Sequence, residues 1–363
     1  SSASSDVYKR QQYYLNEHLV NLNRIFDQNS RENYVRMDLN ENPGGLSEEF
    51  IQKVLSTITP ELISKYPDQL VFTQKLGKFI GAEVEQICLT NGSAEAVRYV
   101  IEAYSRPGGK IVSVTPSYAM YEVYASMYGR QHIPVHYNED LTFDVENIIA
   151  QIKPDVDLLI VLNPNNPVGD VYTTEEMDRI IAAAKANEVT VLIDEAYHYF
   201  YPYSFINYAL TNDHVFVTRT FSKLFSLAGC RLGYIVGQAA DVAYIQKLCT
   251  PHNINAFSMR FAECIIEEPG MIDALIAKQH EGKKYLIDEL RKRNYEVNAK
   301  EGNFIFIKPK SDADELVAKM KREKRILIKS YNGIGILGKC LRVSTGEKEI
   351  MQKFLSAMDD LDK

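Results

Sequence analysis

From residue 86 to residue 236 the chain alternates short apolar runs with stretches of helical period. Gln86–Thr90, Lys110–Thr115, His132–Val135, Leu158–Leu162, Val189–Ile193, Val215–Thr218 and Leu232–Val236 read as strands. Helices fall between them: from Asn91 to about Tyr104, over Tyr118–Tyr128, and over Thr174–Asn187 with Thr174 as its N-cap. Strands without a polar face have to be covered on both sides. The alternation therefore predicts an α/β fold with a mostly parallel central sheet flanked by helices. Ligand sites in such sheets lie beyond the carboxyl ends of the strands. Polar residues gather at those ends: Asn91-Gly92-Ser93, Pro116-Ser117-Tyr118, Asn163–Gly169, Asp194 and Ser222-Lys223.

The flanks differ. Residues 6–36 are polar with apolar positions at helical spacing (Tyr14, Leu15, His18, Leu19, Leu22, Ile25, Phe26), which predicts a helical arm. Ser1-Ser2-Ala3-Ser4-Ser5, without an initiator Met, reads as a tail outside the fold. Pro43, Gly44 and Gly45 break regular structure; helices follow over 47–57, with Ser47 as N-cap, and 69–81, ending at Gly81, with a turn at Lys65–Asp68 between them. Beyond residue 255 the pattern becomes a long helical stretch, Ser258–Asn294, interrupted near Pro269. Short strands at Tyr295–Val297, Phe304–Ile307, Arg325–Ile328 and Cys340–Val343, with helices over 312–323 and 347–361, make a smaller α+β domain. The expected division is an arm, 1–44, joining the small domain; a large domain, 45–254; and a small C-terminal domain, 255–363.

A net charge of -7 leaves no electrostatic footprint for nucleic acid. No apolar run could span a bilayer, and no signal-peptide pattern is present. The 5 cysteines form no CxxC pair and lie in or beside apolar runs, so they read as buried, reduced thiols of a cytoplasmic protein. His132-Ile-Pro-Val-His136 has a spacing open to zinc, but its proline and strand context favour a structural role, and no metal is expected. Gly333-Ile-Gly335-Ile-Leu-Gly338 matches a dinucleotide fingerprint; a strand follows it instead of the required helix, so it reads as a glycine-rich connection.

Lys223 sits in a short segment between two apolar runs, eight residues before Arg231. A lysine amine forms a Schiff base with a carbonyl, and a guanidinium clamps phosphate. The pair suits pyridoxal 5'-phosphate (PLP), which carries both an aldehyde and a phosphate; alone it reads equally as two solvated charges. Asp194, at a strand end, either caps a turn or faces the ring nitrogen of PLP, where an anion keeps that nitrogen protonated. Tyr197 could reach the ring oxygen. Asn166, in a loop stiffened by two prolines and a glycine, is a turn residue or a donor to that oxygen. Gly92-Ser93-Ala94 opens a helix after a strand, a common junction that is also a phosphate holder. Tyr118 is a core residue or a platform for a flat ring.

Taken in order, Gly92-Ser93-Ala94, Pro116-Ser117-Tyr118, Asn166-Pro167, Asp194-Glu195-Ala196-Tyr197, Ser222-Lys223 and Arg231 resemble the fold-type-I PLP-dependent aminotransferases. Leu39-Asn40-Glu41-Asn42-Pro43, Tyr66-Pro67-Asp68, Phe221-Ser222-Lys223, Gly229-Cys230-Arg231-Leu232-Gly233 and Leu341–Gly346 resemble the histidinol-phosphate aminotransferase family, over nearly the whole chain from about residue 35. The resemblance implies that Lys223 binds PLP covalently and moves the proton between substrate carbon and cofactor. It implies that Ser93, the Ala94 backbone, Ser222 and Arg231 hold the phosphate, with Thr220 a lesser candidate. Asn166 and Tyr197 would contact the ring oxygen, Asp194 the ring nitrogen and Tyr118 the ring face. Tyr66 would reach the cofactor phosphate of a partner subunit, making the active unit a homodimer with shared sites. Arg342 would bind the carboxylate of glutamate or 2-oxoglutarate, and Asn40 and Tyr66 would lie with the substrate. Relatives carry an arginine thirteen residues ahead of that arginine for the substrate phosphate; here the position is Lys329. Asn42-Pro43 is followed by Gly44-Gly45 where relatives have an aromatic. These departures leave the phosphorylated partner open: a ketone or amine of histidinol-phosphate type, dihydroxyacetone phosphate aminated to serinol phosphate for surface polysaccharide, or a threonine-phosphate-type decarboxylation on the same cofactor site.

Overall fold

A computed structural model of the protein describes residues 13–20, 22 and 30–363. The described strands are β1 (Val35–Arg36), β2 (Ile87–Thr90), β3 (Lys110–Thr115), β4 (Gln131–His136), β5 (Val156–Leu162), β6 (Thr190–Asp194), β7 (Val215–Thr220), β8 (Gly233–Val236), β9 (Glu296–Asn298), β10 (Phe304–Lys308), β11 (Ile326–Leu327), β12 (Lys329–Tyr331) and β13 (Cys340–Ser344). A 7-stranded sheet runs in the order β2-β8-β7-β6-β5-β3-β4. β8 is antiparallel to both neighbours, and every other pairing in the sheet is parallel. Every residue of β5, β6 and β7 is buried, as expected for a sheet with helices on both faces. The helix Ser93–Tyr104 buries Ala96, Val97, Val100 and Ile101, the i, i+1, i+4, i+5 pattern of one helical face. The helix Thr174–Ala186 buries Met177, Ile180, Ile181 and Ala184, one face at i, i+3, i+4, i+7. Its N-cap is Thr173, not Thr174: Thr173 accepts from the Glu176 N–H while Glu176 reaches back to the Thr173 N–H, a capping box whose reach fixes the cap one residue earlier.

The small domain has a 4-stranded antiparallel sheet, β12-β13-β10-β9, covered by the helices Met271–Lys292 and Lys348–Leu361. β1 pairs in parallel with β11, which ties the N-terminal segment to this domain, and Met37 sits in its core. The helix Ala256–Glu267 sends Met259, Ala262 and Ile265 into the large core, so packing continues past residue 254. In the arm, the one helix among the described residues is Glu17–Val20; Ser1–Ser5, Ile25 and Phe26 lie outside the described residues. The glycine-rich stretch is a turn with positive φ at Gly333, Gly335 and Gly338, joining β12 to β13. His132 bonds Ser113 Oγ through its Nε2 at 2.8 Å, and no metal-binding cluster of His, Cys, Asp or Glu occurs among the described residues. All five cysteines are free; Cys88 and Cys340 are buried, and Cys230, Cys249 and Cys264 only half-buried. No helix among the described residues is long and apolar enough to cross a membrane.

Candidate active site

Lys223 follows the carboxyl end of β7, in the connection to β8. Its Nζ donates to the Leu39 carbonyl at 2.9 Å and lies 5.7 Å from the centre of the Tyr197 ring. Burial, reinforced by the Arg342 charge and opposed by Glu41, pulls its pKa down to about 8. Near neutrality this amine therefore spends far more time unprotonated, and nucleophilic, than an ordinary lysine.

Asp194 ends β6 and is 2% exposed. The Tyr121 hydroxyl donates to its Oδ2 at 2.8 Å, and the Ala196 N–H to its Oδ1 at 3.0 Å. Burial outweighs those two bonds and pushes its pKa up to about 6. A buried carboxylate of this kind calls for a cationic or N–H partner.

An anion cradle faces the same cavity. Gly92, at φ 76°, is the N-cap of the helix Ser93–Tyr104 and supplies no side-chain cap. A Cβ at Gly92 would lie 2.6 Å from Arg231 Nη2, so the missing side chain is what admits the guanidinium to the helix terminus. Arg231 Nη1 donates to the Ala228 carbonyl at 3.1 Å and reaches Ser222 Oγ at 3.5 Å. The Thr220 hydroxyl donates to Ser222 Oγ at 2.9 Å, on the same turn. Helix N–H groups, two hydroxyls and a guanidinium are a donor set that suits a phosphate.

The cavity measures about 340 Å³. Ser93, Ala94, Thr220, Ser222 and Arg231 line it together with Asp194, Lys223, Asn166, Tyr197 and Tyr118, so ten of the predicted positions converge. Asn166 accepts from Arg342 Nη1 through its Oδ1 at 2.9 Å, leaving its amide NH2 as the donor free for the cavity. The Tyr197 hydroxyl accepts from Asn40 Nδ2 at 2.9 Å, and burial raises its pKa to about 12, so it stays protonated. Tyr118 packs edge-on against Tyr121, ring centres 5.4 Å apart.

Four predicted residues lie elsewhere. Arg342, on β13, is 4% exposed; its Nη2 donates to the Asp38 carbonyl, and its Nε has no partner among the described residues. Lys329 is its register partner across β12–β13. Both cations lie over the Tyr331 ring, at 5.2 Å for Lys329 and 5.4 Å for Arg342, and neither lines the cavity. Asn40 is buried; it also donates its N–H to Ser344 Oγ at 2.9 Å, so it ties Tyr197 to the small domain. Tyr66 is 82% exposed and stacked on His252, ring centres 4.7 Å apart, away from the cavity. Sequence reasoning missed Tyr121, which lies in the first turn of the helix Met120–Met127 just after Tyr118. It also missed the Leu39 carbonyl, which meets Lys223 across 184 positions of sequence, and Arg36 and Glu41, which line the same cavity.

An uncapped helix terminus with a guanidinium fits the phosphate of PLP. The buried Asp194 fits a protonated ring nitrogen, and the partly neutral Lys223 fits the aldehyde. When bound, the cofactor supplies an electron sink for a substrate carbanion. Fold and site together define a fold-type-I PLP-dependent enzyme. The family Aminotransferase class I and II matches residues 32–358, and the chain belongs to it. It is a PLP-dependent aminotransferase. It is 31% identical to histidinol-phosphate aminotransferase 2 of Nitrosococcus oceani over 332 residues, covering 89% of this chain and 91% of that one. To histidinol-phosphate aminotransferase of Thermoanaerobacter sp. it is 32% identical over 330 residues, covering 90% and 92%. Among solved structures, histidinol-phosphate aminotransferase of Clostridium acetobutylicum superposes with a TM-score of 0.80 at 26% identity, over 90% of this chain and 99% of that one.

Proposed function

We propose that the protein moves an amino group between glutamate/2-oxoglutarate and a small phosphorylated ketone or amine of the histidinol-phosphate type. The observation that carries this reading is the meeting of Lys223, Asp194 and the Gly92–Arg231 cradle on one cavity, in a chain whose full-length relatives carry the name histidinol-phosphate aminotransferase. Within it, Lys223 holds the cofactor and carries the proton to and from the substrate carbon. Ser93, Ala94, Ser222, Arg231 and Thr220 hold the phosphate, Asp194 the ring nitrogen, Asn166 and Tyr197 the ring oxygen, and Tyr118 the ring face. Arg342 takes the substrate carboxylate with the nitrogens its protein partners leave, and Lys329 is the second cation beside it.

The active unit in this reading is a homodimer, with Tyr66 crossing to the partner's cofactor phosphate. Its support is an exposed apolar face, with Ile63 at 61%, Leu70 at 53% and Val71 at 50%, around the outward Tyr66. The arm is tied to the small domain through β1–β11, and the helix Ala256–Glu267 packs into the large core ahead of that domain. Free thiols suit a cytoplasmic setting.

The deciding experiment loads the enzyme with PLP, converts it with glutamate, and challenges it with imidazole-acetol phosphate and with dihydroxyacetone phosphate. Regeneration of the starting spectrum by the first supports the reading. Regeneration by the second alone moves the assignment to serinol phosphate. CO2 released from a phosphorylated amino acid, with no amino transfer, would sink it.

A further inference from the structure

Beyond the cofactor groups, the cavity wall includes Arg36, Leu39 and Glu41. This wall lies beside the reacting amine, because the Leu39 carbonyl accepts from Lys223 Nζ at 2.9 Å. Arg36 ends β1, where pairing with β11 fixes its backbone. Its Nε donates to the Arg31 carbonyl at 3.1 Å, which orients the guanidinium. The nearest carboxylate is Glu41, with Oε1 3.6 Å from Arg36 Nη1, too long for a hydrogen bond. The Arg36 side chain is 40% exposed; Glu41 Oε2 is buried without a hydrogen-bond partner among the described residues and lies 3.9 Å from Arg31 Nη2, which keeps a cation near Glu41 when Arg36 turns away. The pair is thus loose, and the planar fork that grips a carboxylate is not used up.

An aminotransferase fills one cavity with two substrates in turn, and their side chains differ. We propose that Arg36 is the residue that recognises the side-chain carboxylate of the amino donor, with Glu41 as the counter-charge it leaves to do so. When the other substrate presents no side-chain anion, Arg36 returns to Glu41 and no charge is left unpaired. Glu41 also repels any anion that fails to engage Arg36, which sharpens the choice. Arg342 and Lys329 remain at the other anionic group, so this rests on the aminotransferase reading with glutamate but not on which phosphorylated partner is used.

The test uses PLP-loaded protein and two unreactive probes: glutarate, with two carboxylates, and valerate, with one. Binding is followed by calorimetry. Arg36→Gln is expected to weaken glutarate about tenfold, the scale of one charge-assisted bond, and to leave valerate within about twofold. Arg36→Lys should recover part of the loss. Glu41→Gln, which removes the repulsion and keeps the shape, should tighten glutarate and leave valerate unchanged. The half-reaction preference for glutamate over norvaline should fall with Arg36→Gln by the same factor as glutarate binding. A wild-type cofactor spectrum and melting temperature for Arg36→Gln rule out misfolding. Equal effects on glutarate and valerate, or none on either, would overturn the proposal, as would Glu41→Gln weakening glutarate. If no phosphorylated ketone is turned over while the glutarate results hold, the partner assignment fails and this one stands.

Discussion

Lys223 reaches its site with a pKa drawn down to about 8, mainly by burial. Capture of an aldehyde needs the neutral amine. The rate at which the cofactor-free protein takes up PLP should therefore rise with pH and level off above about 8, read from the absorbance of the bound cofactor. A rate that climbs without a break to the ordinary lysine range would show that the amine is not perturbed. Lys223→Ala should abolish the bound-cofactor spectrum. Stability follows in sign: the folded state releases this proton at lower pH than the unfolded chain does, so cofactor-free protein gains stability as pH rises from about 8 toward the ordinary lysine value. Asp194, raised to about 6, works the other way. Its contribution is present below the unfolded carboxylate value and is lost as pH rises through about 6. Tyr121→Phe removes one of the two bonds that hold Asp194 ionised, so it should weaken PLP affinity by about tenfold. Equilibrium dialysis would measure it, and an unchanged affinity would mean that Tyr121 only packs.

The elements that carry these residues depend on their ends. Gly92→Ala would place a Cβ 2.6 Å from Arg231 Nη2 at a backbone φ of 76°, so both the helix start and the guanidinium have to shift. Loss of PLP affinity with little loss of helix content is expected, by titration beside circular dichroism. Thr173→Ala breaks the capping box at a helix whose described contacts lie away from the cavity; it should cost about 1 kcal/mol in denaturant unfolding and leave PLP binding alone. At this scale the strands of the large sheet were legible: those buried on both faces, such as β5, β6 and β7, are written as apolar runs, and the edge strand β4, largely exposed, was legible from its place in the alternation. β12 was not. It has three residues, only partly buried, and its identity as a strand comes from pairing with β13. The short helix Pro60–Ser64 was also missed, since five residues give no period to read.

At the scale of the whole molecule, two cores meet over the cavity, and contacts between distant segments hold them together. Asn40 bonds both Tyr197 and Ser344, and Gln279 Nε2 donates to Asn42 Oδ1 at 2.9 Å. The helix Met271–Lys292 approaches the turn after β13 so closely that a Cβ on Gly282 would lie 1.8 Å from the Gly346 carbonyl oxygen. Gly282→Ala should cost about 1–3 kcal/mol by forcing that helix away, measured by thermal unfolding. In solution the protein is expected to sediment as a dimer. Mixing inactive Lys223→Ala subunits with Tyr66→Phe subunits should give hybrids whose activity differs from the average of the parents, whereas a simple average would mean that no residue is shared. The sequence by itself determined the α/β class, because periodicity is a local property of a chain, and strand-end position together with the family resemblance named the ten residues that line the cavity. Tertiary structure alone decided that the Lys223 pKa is drawn down to about 8, that Tyr121 holds Asp194, that Lys329 pairs with Arg342 outside the cavity lining and that Arg36 lines the cavity. Burial, desolvation and contacts between residues apart in sequence exist only once the chain has folded around the cavity.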